Sequence, residues 1–208
     1  MVIALRVEVP IVCFRQSHAR EYVETYPVPP PATVYGMLLS LVGEVNRYKH
    51  CGSRLAIALA SQPQKSTIIR TYHRYKKRNL DNPSNIRPDY QELLTGVNLV
   101  VLVDKGSDNA YPSLVERLWQ ALNTPTSVNR FGGLSLGESH DLVNSVTLML
   151  SLSGESYQWL LQDEQGFLRL PYWVDHVGSS GTRWLRYALE EASISSLTIS
   201  AWTEIQSS

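Results

Sequence analysis

The residues best suited to bind a ligand form a basic stretch from Lys65 to Arg78. It carries six lysine and arginine side chains and no acid, and aromatic and histidine side chains lie between them. Cationic groups neutralise phosphates, and a tyrosine ring offers a flat face on which a base can stack. We therefore predict that this stretch binds single-stranded nucleic acid, the contacts being Arg70, Tyr72, His73, Arg74, Tyr75, Lys76, Lys77 and Arg78. The alternative is a solvated edge strand that its charges keep from aggregating.

A second chemistry is open to the same stretch, because His73 beside Lys76 and Lys77 could cleave RNA without a metal. Histidine would act as acid or base, and lysine would stabilise the developing charge. The five histidines form no HxH or HxxxH pair, and the two cysteines form no CxxC motif. This spacing does not predict a zinc site. We expect no metal and no cofactor, and metal-independent ribonuclease activity stays the alternative to binding without turnover.

A glycine-rich segment, RFGGLSLG at residues 130–137, is the second candidate site. Consecutive glycines let a backbone approach a phosphate or a nucleotide closely. The segment is neither a GxGxxG motif nor a P-loop, since no Lys-Ser/Thr pair follows it. Arg130, Gly132 and Gly133 are the predicted contacts, and a tight turn ahead of a strand is the alternative reading.

The overall charge balance hides an asymmetry along the chain. The 208 residues carry 19 lysines and arginines against 19 acids. Residues 1–137 hold 16 of these cations and 10 acids, whereas residues 138–208 hold 3 and 9. Opposite poles of this kind suggest that one end meets a polyanion. The 43% hydrophobic content excludes global disorder.

Targeting signals are not apparent in the sequence. No apolar run is long enough to span a membrane, and Arg6 and Glu8 interrupt the apolar N-terminus where a signal peptide would need continuity. We therefore expect a cytoplasmic protein with no membrane partner.

The elements that would position these residues begin with a strand and a helix. Alternation of apolar residues over 3–11 predicts a half-buried strand. The proline-rich run at 27–31 forms a stiff lead-in. Spacing of Met37, Leu38, Leu41 and Val42 then predicts a helix over about 33–46, which Thr33 can cap. We expect Gly36 and Gly43 to allow a close approach of this helix to a neighbour.

The remaining elements follow the same local patterns. Residues 55–60 and 67–72 are expected to form one strand with a bend near Pro63, followed by a long polar excursion over 74–92. The apolar run 97–103 predicts a central strand. A helix is expected from Pro112, with its core face formed by Leu114, Val115, Leu118, Trp119 and Leu122. Further β-structure is expected at 143–152, 167–172 and 197–202, and 184–188 stays ambiguous.

The element order is βαββαβ, which is the ferredoxin-like arrangement of RNA-recognition-motif domains. We predict an α+β protein with that domain over 1–140, an inserted arm at 74–92, and a β-rich C-terminal part over 141–208.

The segment YPVPPPATVYGMLLSLVGE at 26–44 resembles the signature of a known family. The family is the CRISPR-associated Cascade subunit of type I systems that caps the crRNA 5′ handle, the fifth Cas family within the RAMP superfamily. Its first strand leads through a P-P-x-T-x-x-G-x-L turn into helix one, and an arm, a glycine-rich loop and a C-terminal β-part follow. The sequence is most similar to short subunits of subtype I-B and its myxobacterial-type relatives, some of which act in CRISPR-associated transposons.

This resemblance implies a non-catalytic RNA-binding subunit for RNA-guided DNA targeting. Such a subunit holds the crRNA 5′ handle, contacts the Cascade backbone and large subunits, and lies close to target DNA near the PAM. It is not expected to be a homo-oligomer. The further RNA-binding positions implied or expected are Arg15, Pro30, Thr33, Tyr35, Gly36 and Arg87. One subtype uses this subunit as the processing nuclease, for which His73, Lys76 and Lys77 would be the catalytic candidates here.

Overall fold

The fold is a mostly antiparallel sheet with two helices on one face. The computed structural model describes residues 1–73, 76–79, 81–149 and 155–207. Within these ranges the α-helices are α1 (Pro31–Leu41) and α2 (Leu114–Asn123). The strands are β1 (Val2–Val12), β2 (Tyr22–Val23), β3 (Arg54–Leu59), β4 (Gln64–His73), β5 (Ile86–Asp104), β6 (Ser145–Leu148), β7 (Ser156–Gln162), β8 (Leu168–Trp173), β9 (Arg183–Ser193) and β10 (Thr203–Glu204).

The first half of the sheet has the order β6-β1-β5-β3, with each neighbouring pair antiparallel. In a βαββαβ unit this is the strand order 4-1-3-2, so the ferredoxin-like α+β prediction is confirmed. The alternation in β1 is also confirmed, since Ile3, Leu5, Val7 and Val9 are buried against the helices. The apolar run of β5 is central and is buried on both faces of the sheet.

The strands β3 and β4 pair with successive parts of the same edge of β5. Arg54 lies opposite Asp104, and ten residues later Gln64 lies opposite Thr95. The predicted single strand is therefore two strands interrupted at residues 60–63, which pair with the same edge of β5 on either side of the predicted bend near Pro63. The unstructured excursion over 74–92 is wrong in part, because Pro83–Asn85 forms a 3-10 turn and β5 already begins at Ile86. We define the arm as the described residues from Gln64 to Thr95, in which β4 and residues 86–95 of β5 form a two-stranded hairpin.

Helix α1 begins two residues earlier and ends sooner than predicted. Pro30 is the N-cap and Pro31 the first helical residue, so the prediction that Thr33 caps the helix is wrong. Proline suits this position because the first turn needs no N–H from it. The chain leaves the helix at Gly43, whose φ of +66° is readily adopted only by glycine. A Cβ at Gly43 would lie 2.3 Å from the Asn129 carbonyl oxygen, so the predicted close approach exists at this glycine.

Helix α2 is fixed by a capping box between Ser113 and Glu116, in which each side chain hydrogen-bonds the backbone N–H of the other residue. Leu114, Val115 and Leu118 are buried as predicted. Trp119 is 52% exposed, so its assignment to the core face is wrong. Ala121 is buried in the last turn of this face instead.

The last strand of the first half is β6, which lies within the β-structure expected at 143–152. It pairs with β1, where Val146 lies opposite Val7. The end of the expected strand, residues 150–152, lies outside the described residues.

The C-terminal part continues the sheet beyond β3 in the order β7-β9-β8. Strand β8 agrees with the prediction, and the ambiguous residues 184–188 belong to β9. The predicted strand at 197–202 is wrong, because 3-10 turns occupy Ile194–Ser196 and Ile199–Ala201. Strand β7 was not predicted. Two strands that follow residue 140 pair with the first half of the sheet: β6 pairs with β1, and β10 pairs with β3. The division of the chain into two parts at residue 140 stays a prediction.

None of the helices in the described part of the chain is long and apolar enough to cross a membrane.

Candidate nucleic-acid interface

The exposed side of α1 carries the open position at the centre of the candidate interface. Gly36 is exposed, and a Cβ built there would meet no atom within 4 Å. The expectation that Gly36 packs closely against a neighbour is therefore wrong, and its backbone is accessible to a ligand instead. Ser40, one turn further along the helix, lines the same surface. A ligand backbone can approach the helix closely here because no side chain stands in the way.

Two depressions flank Gly36 and share it as a lining residue. One, of about 330 Å³, is also lined by Arg47, Ser135, Trp173 and His176. The other, of about 450 Å³, is lined by Val45, Asn129, Arg130 and Phe131. The fold thus brings the α1 motif and the glycine-rich segment, which are far apart in sequence, onto one surface. Phe131 is fully exposed, so its ring is free to stack on a base.

The glycine-rich segment is a loop between α2 and β6. Gly132 has a φ of +78°, and a Cβ there would contact nothing within 4 Å, whereas one at Gly133 would lie 2.9 Å from a Leu142 methyl group. The loop is held from below by Asp141, whose carboxylate accepts hydrogen bonds from the backbone N–H groups of Cys13 and Glu138 at 3.0 and 2.9 Å. Arg130 is exposed at the loop entrance, and its guanidinium donates only to the Gly132 carbonyl within the described residues.

Two predicted contact residues are largely buried, although each lines a depression. Tyr35 is 3% exposed, and its hydroxyl donates to the Arg47 carbonyl at 2.9 Å. Burial raises the pKa of its phenol well above the usual range, so the ring is a core residue and cannot stack on a base. Pro30 is also buried. Little of either side chain is therefore accessible, and RNA contact by these two residues stays a prediction.

The N-terminus of α1 offers few free donors to a phosphate. Pro30 and Pro31 carry no N–H, and the amides of Thr33 and Val34 both donate to the Pro30 carbonyl. Thr33 remains accessible in a separate depression of about 430 Å³ that Arg15, Pro30 and Trp184 also line. Arg15 is exposed and donates to the Ala19 carbonyl at 3.0 Å. This depression and the one around Arg47 share the lining residues Thr33 and Val174.

The cations of the arm divide into paired and unpaired groups. Arg87 forms ion pairs with Glu21 and, at 3.0 Å, with Asp89, so its predicted availability to RNA is reduced. Lys65 pairs with Glu92 at 2.5 Å. Burial raises the pKa of Glu92, but the hydrogen bonds from Lys65 and the Thr25 amide outweigh it and lower that pKa overall. Among described residues Arg70, Lys76, Lys77 and Arg78 form no ion pair. Arg74 and Tyr75 lie outside the described residues.

Cross-strand register separates the arm residues onto two faces. Arg70 lies opposite Asp89 and Tyr72 opposite Arg87, so these side chains share a face. His73 lies opposite Ile86 on the other face. Tyr72 and His73 therefore lie on opposite faces of the arm. Lys77 is held at the arm tip by Asn85, whose buried amide bonds both the N–H and the carbonyl of Lys77, at 3.0 and 3.2 Å.

The base of the arm is attached to the glycine-rich loop. Gln91 donates to the Glu138 carboxylate at 3.0 Å, and the Glu92 carboxylate accepts from the Thr25 amide at 3.0 Å. The segment containing Thr25 pairs with Arg15 through an isolated bridge. The base of the arm therefore adjoins the end of the glycine-rich segment.

Three residues that line this surface, Arg47, Trp173 and Phe131, were not predicted from sequence as contacts. The Arg47 guanidinium lies 4.0 Å from the Trp173 ring centroid and also donates to the Val174 carbonyl. This cation–π contact is stabilising, and it keeps a positive charge in the depression beside Gly36. Phe131 follows Arg130 in the glycine-rich segment, and its exposed ring was not among the predicted contacts. The aromatic-beside-arginine pairs R47-Y48 and R130-F131 are the sequence signal that could have indicated them.

Comparison with known proteins places this architecture among CRISPR-associated proteins. A subunit of a "CRISPR RNA-guided surveillance complex" superposes with a TM-score of 0.63 at 11% identity, covering 94% of this chain and 92% of that one. A structure described as "Crystal structure of Cas protein" superposes with a TM-score of 0.52 at 16% identity, covering 92% of this chain and 94% of that one. At such identities the likeness establishes the fold.

The sequence comparisons define the family within this class. Residues 2–180 match the family model described as CRISPR-associated protein (Cas_Cas5). A "CRISPR-associated protein Cas5" of Myxococcus xanthus (strain DK1622) is 43% identical over 193 residues, which are 91% of this chain and 90% of the relative. The chain therefore belongs to the Cas5 family, as the proline-rich signature indicated.

Proposed function

We propose that this protein binds the 5′ handle of crRNA as a non-catalytic subunit of a type I Cascade effector. The main observation behind the proposal is that Gly36 of α1 and Arg130 and Phe131 of the glycine-rich loop line one depression, which we call the groove. An accessible helix backbone, a guanidinium that forms no ion pair within the described residues and an exposed aromatic ring suit the binding of a single RNA strand. The arm cations that form no ion pair in that part of the chain would add further phosphate contacts.

Family membership and structural likeness support a further proposal about the complex in which the subunit acts. The subunit of a CRISPR RNA-guided surveillance complex shares this fold over nearly the whole chain. We propose that the protein joins the Cascade backbone and large subunits at the handle end of the crRNA, near the PAM side of target DNA. Subtype I-B and a role in guided transposition stay proposals, which the genes adjacent to this one would test.

The direct test is a comparison of handle RNA with scrambled RNA of equal length, by fluorescence anisotropy over a salt series. We expect tighter binding of the handle RNA, and a log affinity that falls with log salt by about 0.7 for each phosphate neutralised on a single strand. Arg130→Gln should weaken binding, whereas Lys105→Gln, which removes an exposed charge outside the groove, should not. Equal affinity for both RNAs would refute handle recognition.

A steric variant tests the groove itself. Gly36→Leu adds a side chain at a position where a Cβ has no neighbour within 4 Å, so the fold should tolerate it while the groove is filled. We expect an unchanged circular dichroism spectrum and a loss of handle binding of at least about tenfold, by analogy with the cost of losing a stacked base. Retained affinity in this folded variant would place the RNA elsewhere.

The ribonuclease alternative has a separate test. Repeat RNA incubated with the purified chain in EDTA should stay intact under the proposal. Cleavage that His73→Ala abolishes would instead assign turnover to the arm and overturn the non-catalytic role.

A further inference from the structure

The β8–β9 hairpin forms a depression that none of the predicted site residues line. Its volume is about 770 Å³, and its lining includes Asp163, Glu164, Arg169, Trp184, Arg186 and Trp202. Arg169 and Trp184 also line the neighbouring depression beside Tyr26, and Tyr26 and Trp184 in turn line the one beside Thr33. We call the first depression the tryptophan pocket.

The positive charge of the C-terminal part is concentrated at this hairpin. Residues 138–208 contain only three cations, Arg169, Arg183 and Arg186, against nine acids. All three lie on β8 or β9, and Arg169 is the direct cross-strand partner of Arg186. Like charges directly opposite each other destabilise an antiparallel pair. Neither guanidinium forms an ion pair with a carboxylate in the described residues, and Arg186 donates one hydrogen bond, to the Gly166 carbonyl at 3.2 Å. The remaining donors of the pair are suited to an anion bound between them.

Aromatic faces accompany these cations. The Arg169 guanidinium lies 5.3 Å from the Trp184 ring centroid, and that of Arg54 lies 5.7 Å from the Trp202 ring centroid. Trp184 is half-buried, and so one part of its indole stays accessible from the pocket. Flat rings beside arginines bind bases by stacking, without regard to sequence.

The two acids of the lining are acceptors at the rim of the pocket. Asp163 accepts the Gln165 amide at 2.8 Å with one carboxylate oxygen, which fixes it in the β7–β8 turn. Glu164 is exposed. Carboxylates accept hydrogen bonds from base amino groups, as in the pairing of acidic side chains with cytosine. The pocket therefore combines a ring for a base, acceptors for its edge and two guanidiniums for a phosphate.

We propose that the tryptophan pocket binds one unpaired nucleotide of a single-stranded nucleic acid, with its base on Trp184 and its phosphate between Arg169 and Arg186. The proposal does not depend on handle recognition at Gly36. It adds a second binding position, on the part of the chain whose net charge is negative, where the sequence did not predict nucleic-acid contact.

The experiment uses the full chain and a fluorescent decamer of uridine, with a decamer of thymidine to compare RNA with DNA. Anisotropy titrations compare Arg186→Gln with Arg183→Gln. Both residues are exposed, both lie on β9, and only Arg186 lines the pocket. We expect Arg186→Gln to weaken binding at least about fivefold and Arg183→Gln less than about twofold, with Trp184→Leu losing about tenfold. Equal losses for the two arginine variants, or none, would overturn the proposal.

Cross-linking separates this site from the one at α1. A decamer containing 4-thiouridine is irradiated with the protein, and the adducts are mapped by mass spectrometry. Adducts on the peptide containing Trp184 that disappear in Arg169→Gln/Arg186→Gln support the pocket, even if handle RNA shows no preference. Adducts confined to the peptide with Arg130 and Phe131 refute the pocket while leaving the proposed function intact. Binding of a partner subunit, and of no oligonucleotide, at these residues would identify a protein interface instead and would also refute it.

Discussion

At the scale of single residues, the most constrained group is a buried polar network beneath α1 and α2. His50 and Asp108 are both fully buried, with Nδ1 and Oδ2 2.9 Å apart. Arg117 lies 3.0 Å from the His50 Nε2. A guanidinium can only donate, so Nε2 accepts and Nδ1 carries the proton that bonds Asp108. Asp108 also accepts the Leu114 amide at 2.9 Å, which fixes the start of α2.

Glu44 completes this network at the end of α1, and its titration yields a prediction. Hydrogen bonding from Lys49, and then from the Asn46 amide and Arg117, lowers the pKa of Glu44 from 4.5 to about 2, against the effect of desolvation. A lowered folded-state pKa contributes stability above the unfolded-state value, and that contribution is lost as the pH falls towards 2. We expect Glu44→Gln to lose about 1 kcal/mol at pH 7 and to converge with the unmodified protein near pH 2.

Urea unfolding at several pH values measures this difference. Glu190→Gln is the matched control, because Glu190 is exposed and forms no ion pair with any described residue. A stability difference for Glu44→Gln that persists or widens in acid would contradict the assignment.

At the scale of elements, the two glycines of the α1 region have opposite roles, which substitution by alanine separates. At Gly43 the positive φ and the Asn129 carbonyl, 2.3 Å from a new Cβ, forbid a side chain. At Gly36 the backbone is helical and the space is open. We expect Gly43→Ala to cost about 2 kcal/mol or more, and Gly36→Ala to gain up to about 1 kcal/mol from helix propensity. Thermal unfolding followed by circular dichroism gives both values, and changes of the same sign would refute the distinction.

The arm shows why an exposed element is the hardest to predict. Residues 86–92 of β5 read IRPDYQE, with a proline and no apolar alternation, since most of these side chains face solvent or each other. Their strand is imposed by the register with β4, which continues from Lys65–Leu94 to His73–Ile86. The spacing of apolar residues in β4 or in residues 86–92 does not indicate this cross-strand pairing.

At the scale of the whole molecule, the C-terminal end returns to the first half of the sheet. Thr203 of β10 lies opposite Leu55 of β3, and the Tyr187 and Thr203 hydroxyls are 3.0 Å apart. Ile205 is fully buried, and its carbonyl accepts the Gly52 amide at 2.7 Å. The two parts of the chain therefore share one hydrophobic core.

Removal of this return should destabilise the whole protein. We expect a chain ending at Trp202 to lose about 3 kcal/mol or more, since it forfeits the burial of Ile205 and the pairing with β3. Ile205→Ala, which keeps the backbone pairing, should lose less. Urea unfolding is followed by tryptophan fluorescence and circular dichroism, and one shared transition is expected for the full chain. Two separate transitions would instead support an independent unit over 1–140.

The sequence by itself determined those features that depend on local periodicity and on the chemistry of adjacent residues. The alternation in β1, the apolar run of β5, the proline entry to α1 and the βαββαβ order of the ferredoxin-like unit were predicted because burial imposes a period of two or 3.6 on neighbouring side chains. The family followed from one contiguous motif. The basic character of the arm was equally evident, since charge is a property of composition.

Only the tertiary structure decided which of these residues reach a common surface. Tyr35 and Gly36 are adjacent in sequence, yet one is buried beside Trp173 and the other is open between two depressions. Arg130 and Gly36 line one depression although they lie far apart in sequence. Arg169 and Arg186 lie opposite each other on two paired strands. Such pairings depend on how the helices and strands pack against one another, and that packing is set by the whole core rather than by any local pattern.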